Sequence, residues 1–174
     1  MTDRSAVVVG GASGIGKAVA RALATDSCRV IVADRNADGA RSVATELGDP
    51  HSAATVEVTD EDSVRALFDQ AGALDVVVNT AGYSALGLIT ELPAEDFRSV
   101  VDVCLTGAFL VIKHAAPRLS KGGALVSISS LNGRQPAAAM SVACQSLIGR
   151  HVVTRHVHAV GDRDRVGQRE RHER

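Results

Sequence analysis

Aromatic residues are almost missing from this chain of 174 residues, which has no tryptophan, one tyrosine and three phenylalanines. Because rings supply so little apolar volume, the core must be built from alanine, valine, leucine and isoleucine, which fits a parallel sheet covered by helices. The chain is long enough for one domain with a sizeable core and too short for two. The net charge of −1 hides a shift along the chain, because the residues up to Ile148 carry a net charge of −4 and those from Gly149 on carry +3.

Cysteine is also scarce, and Cys28, Cys104 and Cys144 are scattered without a CxxC spacing. An odd number of cysteines at such spacings argues against a disulfide framework and against a zinc site, so no metal is predicted. Reduced thiols of this kind favour a cytoplasmic protein. No segment resembles a signal peptide or reaches the length of a membrane span, so no membrane partner is expected.

A glycine-rich turn follows an apolar run near the start of the chain and opens a helical pattern. Gly10, Gly14 and Gly16 stand in a Gly-x3-Gly-x-Gly spacing, with Ser13 and Ile15 between them. Such glycines let the backbone turn sharply and approach a pyrophosphate closely, and the free N–H groups at the start of the helix attract its phosphates. An acidic residue about 20 residues further on completes the pattern of a dinucleotide-binding turn.

Strand and helix patterns alternate along the chain. Short apolar runs predict five strands, at 6–9, 30–33, 53–56, 74–78 and 124–128. Asp60 is placed to cap the third helix, and Pro93 to begin a long fourth helix that ends near Gly122 and Gly123. This order predicts an α/β fold, a Rossmann-type doubly wound parallel sheet that binds its ligand at the carboxyl ends of the strands.

Three motifs, correct in order and spacing, give roughly the first 140 residues a family resemblance. The turn from Val9 to Gly16 resembles the Thr-Gly-x3-Gly-x-Gly turn of the short-chain dehydrogenase/reductase family, with valine at the threonine position. The motif at 79–82, Asn-Thr-Ala-Gly, is similar to the family's Asn-Asn-Ala-Gly, and 127–133 resembles the segment that carries its catalytic serine. The resemblance implies an NAD(P)-dependent oxidoreductase that transfers a hydride between nicotinamide and a small alcohol or ketone. It also implies that about five strands are retained and that the family's C-terminal strands are missing.

The cofactor is expected to contact the strand ends. Asp34, at the tip of the second strand, can accept hydrogen bonds from ribose hydroxyls and repels a 2′-phosphate, which favours NAD over NADP. Arg35 next to it would attract that phosphate, and a turn or N-cap role is the alternative for Asp34. Glu57 and Val58 occupy the place of the family's Asp-Val beside the adenine. The remaining cofactor contacts implied by the motifs are Gly10, Ser13, Gly14, Ile15, Gly16, Asn79, Ala81 and Gly82.

The catalytic positions of the family are mostly replaced. The resemblance places the serine at Ser130, but the tyrosine and lysine positions hold Ala143 and Leu147, which cannot titrate. The asparagine position is Cys104, which cannot hold a relay water as an amide would. Tyr83 is a disfavoured substitute base because no lysine lies within a helical turn of it, and a loop-capping role is the alternative for Ser130. This copy is therefore predicted to be inactive; a non-catalytic dinucleotide-binding module and an unstable remnant are the alternatives.

Residues 149–174 differ in kind from the predicted core at 1–148, and are predicted to be a disordered tail outside the family pattern. Acids alternate with its arginines and aromatic residues are lacking, which argues against a nucleic-acid partner. His151, His156 and His158 are a poor metal cluster without an organised scaffold. An out-of-frame translation is our hypothesis for this tail, and reading the coding DNA in all three frames tests it. Family members form homo-oligomers through the long helix and the tyrosine helix, so assembly is an open expectation here.

Overall fold

The computed structural model describes residues 4–88 and 90–130, and these confirm the predicted alternation of strands and helices. The predicted tyrosine and lysine positions, the boundary at residue 148 and the tail lie outside the described residues. The ten main elements are β1 (Arg4–Val9), α1 (Gly14–Thr25), β2 (Cys28–Asp34), α2 (Ala37–Leu47), β3 (Ser52–Thr55), α3 (Glu61–Ala71), β4 (Leu74–Asn79), α4 (Ala94–Val101), α5 (Gly107–Ala115) and β5 (Leu119–Ser127).

The five strands form one parallel sheet in the order β3-β2-β1-β4-β5. The central strand β1 is apolar on both sides: Ala6 and Val8 pack with α1 and α2, whereas Val7 and Val9 pack with α3 and α5. Helices on both faces leave no solvated side, which is why β1 is a continuous rather than an alternating apolar run. The doubly wound sheet expected from the sequence is confirmed.

The strand order reverses between β1 and β4. From β1 the chain moves outward to β2 and β3, and it then returns to place β4 on the other side of β1. Loops at the carboxyl ends of these two strands diverge and leave a crevice, which is the general ligand position in such sheets. Thr80, just after β4, closes the bottom of this crevice: its amide donates to the carbonyl oxygen of Val9 at 2.9 Å.

The long helix differs from the prediction at its middle and at its end. A π-helical turn (Asp102–Thr106) separates α4 from α5, and a 3₁₀ turn (Ala116–Arg118) ends the helical segment. The predicted end near Gly122 is wrong, because Pro117 has no N–H to continue the helical hydrogen bonds. Strand β5 already begins at Leu119 and pairs with β4 through a shift in register between Leu74 and Val76.

The segment Ala94–Arg118 is, by length and composition alone, the one stretch of the described residues apolar enough to cross a membrane. The expectation that no segment reaches that length is therefore corrected. Leu110, Val111 and Ala115 of this segment are buried in the core with residues of the sheet and α3, and Val100 is also buried. Because a core helix passes the same test, a single such helix is weak evidence for a membrane span.

Candidate functional site

The turn after β1 requires glycine at two positions. Gly10 has φ of 80°, and a Cβ there would lie 2.6 Å from Thr80 Oγ1. A Cβ on Gly16 would overlap the carbonyl oxygen of Gly10, since the first turn of α1 packs directly on the glycine turn. Because these two glycines have no side chains, β1, α1 and the end of β4 can pack in direct contact at the floor of the crevice.

The first turn of α1 has unused hydrogen-bond donors. Its N-cap residue, Ser13, is exposed and makes no side-chain capping bond, and no acidic residue lies in the first turn. In contrast, α2 is capped by Asn36, whose Oδ1 accepts from the amide of Gly39 at 3.0 Å. An uncapped helix start with its positive dipole end facing a crevice is suited to an anionic ligand.

The carboxylate of Asp34 is fixed at the tip of β2. Its Oδ2 accepts a hydrogen bond from the amide of Ala12 at 3.0 Å, and its Oδ1 accepts one from the amide of Asn36 at 2.9 Å. The first bond ties β2 to the glycine turn. Each carboxylate oxygen has a second lone pair, so this arrangement still leaves acceptors for hydroxyl groups in the crevice.

The end of β4 is held by a buried amide. The Asn79 side chain is 3% exposed; its Oδ1 accepts from the amide of Ala81 at 3.1 Å and its Nδ2 lies 3.4 Å from Ser127 Oγ. The amide of Ile128 also donates to the carbonyl oxygen of Asn79 at 2.9 Å. Asn79 therefore shapes the loop after β4 and joins β4 to β5 from behind the cavity wall.

A cavity of about 210 Å³ lies at these strand ends. It brings together many of the residues singled out in the sequence, namely Gly10, Ser13, Asp34, Arg35, Glu57, Val58, Ala81 and Gly82. Its wall also contains Val9, Val56, Thr80 and Val103, which were not predicted as cofactor contacts, and Tyr83, which was considered only as a substitute base. Most of the missed residues adjoin a predicted one along the chain, and that adjacency was the signal available.

Some predicted residues lie outside the lining of this cavity. Gly14 and Ile15 are exposed in the first turn of α1, and Gly16 is buried beneath it. Ser130 is exposed and lies beyond the end of β5. Glu57 does line the cavity, but its Oε1 accepts a hydrogen bond from Thr59 Oγ1 of its own loop at 2.9 Å.

Cys104 has a role that its residue type did not suggest. It lies in the π-helical turn, where its Sγ and the backbone of Tyr83 form two hydrogen bonds of 3.3 Å. The amide of Tyr83 donates to the sulfur, and the thiol donates to the carbonyl oxygen of Tyr83. This thiol therefore connects the long helix to the loop that follows β4.

The two carboxyl groups whose pKa is lowered lie away from the cavity. Hydrogen bonds from Lys113 and then His114 lower the pKa of Glu61, at the start of α3. Hydrogen bonds from Lys17 and then Arg21 lower the pKa of Glu46 on α2. Both groups join helices on the outside of the sheet. Among residues 4–88 and 90–130, no three His, Cys, Asp or Glu side chains are grouped to hold a metal ion.

The sequence pattern of the short chain dehydrogenase family matches residues 4–161. The chain belongs to this family. The match agrees with the strand order, the glycine turn and the Asn79 interactions described above. The predicted domain boundary at residue 148 lies inside the matched range, and it remains a prediction.

Several members of the family are similar to this chain in sequence. An uncharacterized oxidoreductase of Staphylococcus aureus (strain MRSA252) is 31% identical over 161 residues, which cover 88% of this chain and 70% of the relative. A cis-4-hydroxycyclohexanecarboxylate dehydrogenase of Sinomonas cyclohexanicum is 45% identical over 141 residues, which cover 75% of this chain and 56% of the relative. A D-threitol dehydrogenase of Mycolicibacterium smegmatis is 37% identical over 139 residues and is matched over 54% of its length.

A solved structure of a short-chain type dehydrogenase/reductase from Mycobacterium ulcerans has the same fold. It superposes with a TM-score of 0.78 at 32% identity, over 83% of this chain and 58% of that chain. The chain therefore spans little more than half the length of the Mycobacterium ulcerans protein.

Proposed function

We propose that this short-chain dehydrogenase family member binds NAD in the crevice between β1 and β4, and that the chain as written does not turn it over. The observation that carries the proposal is the uncapped start of α1, which opens onto the same cavity as the fixed carboxylate of Asp34. Donors for a pyrophosphate and acceptors for ribose hydroxyls are thus presented side by side.

The residues of the cavity fit a dinucleotide along its length. The backbone amides at the start of α1, from Ser13 onward, would hold the phosphates, and Gly10 permits their close approach. Asp34 would accept from the adenosine ribose, while Val58 and Val103 offer apolar contact to the base. Ala81 and Gly82 form the part of the cavity wall along which the dinucleotide would extend toward its nicotinamide end. When bound, the nicotinamide ring supplies or accepts the hydride.

Preference for NAD over NADP is part of the proposal. A 2′-phosphate beside Asp34 would meet a carboxylate that is already fixed by two backbone amides and cannot easily turn away. Arg35 lines the same cavity and would offset part of that repulsion. The carboxylate adjoins the ribose position more directly, so its repulsion is expected to dominate.

The loss of turnover rests on the residues at the family's acid/base positions. Ala143 and Leu147 have no proton to give or take, and Ser130 without them can only hydrogen-bond a reacting oxygen. A non-catalytic dinucleotide-binding module is the second candidate for the chain's role in the cell. If the chain binds no dinucleotide, the unstable remnant is left as the remaining interpretation.

Equilibrium titration with NAD and NADP tests the binding proposal. Turnover is tested by NADH absorbance with a panel of polar secondary alcohols and ketones; the absorbance would rise when NAD oxidises a secondary alcohol and fall when NADH reduces a ketone. The names of the relatives suggest cis-4-hydroxycyclohexanecarboxylate and D-threitol for that panel. We expect saturable NAD binding, weaker NADP binding and no turnover. Asp34→Asn should weaken NAD binding about tenfold and reduce the difference between the affinities for NAD and NADP. Asp38→Asn removes a neighbouring surface charge and is the control; it should change neither the NAD affinity nor the NADP affinity. An Asp34→Asn variant that binds NAD as tightly as the wild type would contradict the proposal.

Turnover is tested separately by restoring the missing groups. The double variant Ala143→Tyr with Leu147→Lys supplies the two side chains that the family uses. A gain of activity in this variant would place the deficit at those two positions alone. Turnover by the unmodified chain would overturn the proposed inactivity and would favour a small alcohol or carbonyl substrate.

Homo-oligomer formation is a further part of the proposal. Phe97, Leu105 and Phe109 are exposed at four- and eight-residue intervals along the long helix, an apolar row that water disfavours. Light scattering at several concentrations tests it, and Phe109→Glu should shift the population toward monomer. We also propose a cytoplasmic location, which the scattered cysteines support and which fractionation of the expressing cell would test.

A further inference from the structure

A second cavity of about 330 Å³ adjoins the one at the strand ends. The two share Arg35, Glu57, Tyr83 and Val103, so one wall serves both. The second cavity continues to Thr59 and to Ser99 and Asp102 on the long helix. Of the described residues that line either cavity, Tyr83 is the one aromatic.

The position of Tyr83 in this shared wall points to the adenosine end of the ligand. Asp34 marks the ribose position, and Arg35, which follows it, lines both cavities together with Tyr83. The phosphate position is marked by Ser13, which lines the first cavity and not the second. A base that extends from the ribose beyond Asp34 therefore meets the wall that contains Tyr83.

The backbone of Tyr83 is fixed from behind. Two hydrogen bonds of 3.3 Å, one in each direction, join its amide and carbonyl groups to the sulfur of Cys104. Asp102 and Val103, which line the second cavity, belong to the same π-helical turn as Cys104. Helix and loop thus form one connected wall, although each sulfur hydrogen bond is weak.

We propose that Tyr83 determines recognition of the adenine base, with its ring as an apolar face for the base, and that Cys104 is the positioning residue that fixes it. This inference rests on the proposed NAD binding and adds the residue that selects one half of the ligand. A purine presents a π-face to any aromatic ring, and offset stacking of the two planes is favourable. Tyr83 is 40% exposed, so part of its surface is accessible to such a ligand.

The composition of the chain supplies a direct probe. Tyr83 is its only tyrosine and there is no tryptophan, so the tyrosine emission of the full chain comes from this one residue and is not masked by tryptophan. Titration with AMP, with nicotinamide mononucleotide and with NAD compares the two halves with the whole. We expect AMP and NAD to change the tyrosine emission in proportion to their binding, and nicotinamide mononucleotide to leave it unchanged.

Variants separate the ring from its support. By calorimetry, Tyr83→Ala should weaken AMP and NAD binding by the same factor, about tenfold, and Tyr83→Phe should bind both as well as the wild type. Cys104→Ala should weaken AMP binding less, about threefold, and Cys104→Ser should restore it, because a hydroxyl donates and accepts as the thiol does. Thermal unfolding of each variant verifies that the chain is folded.

The outcomes are distinct. If the wild type binds NAD but Tyr83→Ala binds AMP equally well, the inference is overturned and the proposed function stands. If Tyr83→Ala weakens nicotinamide mononucleotide instead of AMP, the residue belongs to the other half and the inference is again wrong. Failure of Cys104→Ser to recover the loss in Cys104→Ala would remove the positioning role alone. If the wild type binds none of the three ligands, the proposed function fails and this inference fails with it.

Discussion

Helices α1 and α3 both begin at the carboxyl edge of the same sheet, and their first turns are built in opposite ways. In α3, Asp60 Oδ1 accepts from the amides of Asp62 at 2.9 Å and Ser63 at 3.4 Å, and Glu61 and Asp62 add negative charge to the first turn. In α1, Ser13 makes no capping bond and the first turn has no acid. The helix dipole of α3 is thus neutralised by its own residues, while that of α1 is left for another anion.

This difference shows how a fold with repeated strand-helix units acquires one binding site. Any of its helices could present free amides at the sheet edge. Asn36 caps α2, Asp60 caps α3, and α1 alone of these three combines an uncapped start with the glycine turn of Gly10. Of these three helices, the one whose start is least satisfied lies at the point where the strand order reverses, which agrees with the expectation that functional sites depart from local rules.

The largest effect is expected from filling the contact beneath α1. Gly16→Ala introduces a Cβ that overlaps the Gly10 carbonyl, so we expect the free energy of unfolding to fall by about 2–3 kcal/mol and NAD binding to be lost. Gly72→Ala is the matched control: φ there is 74° and no atom lies within 4 Å of the new Cβ. Its backbone strain should lower stability by about 1 kcal/mol without any change in NAD affinity. Urea unfolding and NAD titration measure both, and normal NAD affinity in Gly16→Ala would contradict the role of the close contact.

The next effect comes from giving α1 the start that α3 has. Ser13→Asp adds a capping carboxylate, which should raise the free energy of unfolding by about 0.5–1 kcal/mol. The same charge should weaken NAD binding at least about tenfold, because it takes the amides and repels the pyrophosphate. Ser13→Ala adds no charge and is the control, with NAD affinity within about twofold of the wild type. Ser13→Asp with unchanged NAD affinity would show that the phosphates bind elsewhere.

The converse change removes the cap of α3. Asp60→Ala leaves the amides of Asp62 and Ser63 without that acceptor and should lower the free energy of unfolding by about 1 kcal/mol. Asp60→Asn keeps a capping oxygen and should recover most of the loss. NAD affinity, measured by titration in both variants, should not change. A loss of NAD binding in Asp60→Ala would mean that the two helix starts are not independent.

The smallest effect concerns the charge of Glu61 in the first turn of α3. Because Lys113 and His114 lower its pKa, its contribution to stability is present above the ordinary value of 4.5 and is lost as the pH falls through the lower value in the folded chain. Glu61→Gln should therefore have a slightly lower Tm than the wild type at neutral pH, and the difference should vanish in acid. Glu46→Gln should follow the same course, since the pKa of Glu46 is lowered too. A Tm difference that grows in acid would contradict the sign.

The fold was predictable because its central strand is buried on both faces and its turns have strong signals. The run ending at Val9 and the one ending at Ala33 are apolar throughout, and glycine at Gly10 marks where the first must turn. Strand β5 was harder, because Leu119 to Gly123 combine polar residues with glycines and enter the sheet only through pairing with β4. Tertiary pairing decides that boundary, and no local pattern reports it.

The candidate site likewise contains some residues whose roles could be predicted from the sequence and others whose roles could not. Residues that act through the backbone or the strand ends, such as Gly10, Ser13 and Asp34, follow from spacing and were predicted. Tyr83 and Cys104 were first considered for catalysis, and their mutual hydrogen bonds depend on a π-helical turn that has no sequence signature. Their contact spans 21 positions in the chain, so only the folded loop and helix together reveal it.

The central place of β1 has a consequence for how the chain folds during synthesis. The strand made first pairs on one side with β2, soon after it along the chain, but on the other side it needs β4: the amide of Ser5 donates to Asp75, 70 positions later. A nascent chain therefore holds an apolar strand with one open side until β4 emerges, and such pairing over a long stretch of chain is slow. We therefore expect the valines of β1 to remain accessible to a chaperone that binds short apolar segments while translation passes through α2, β3 and α3.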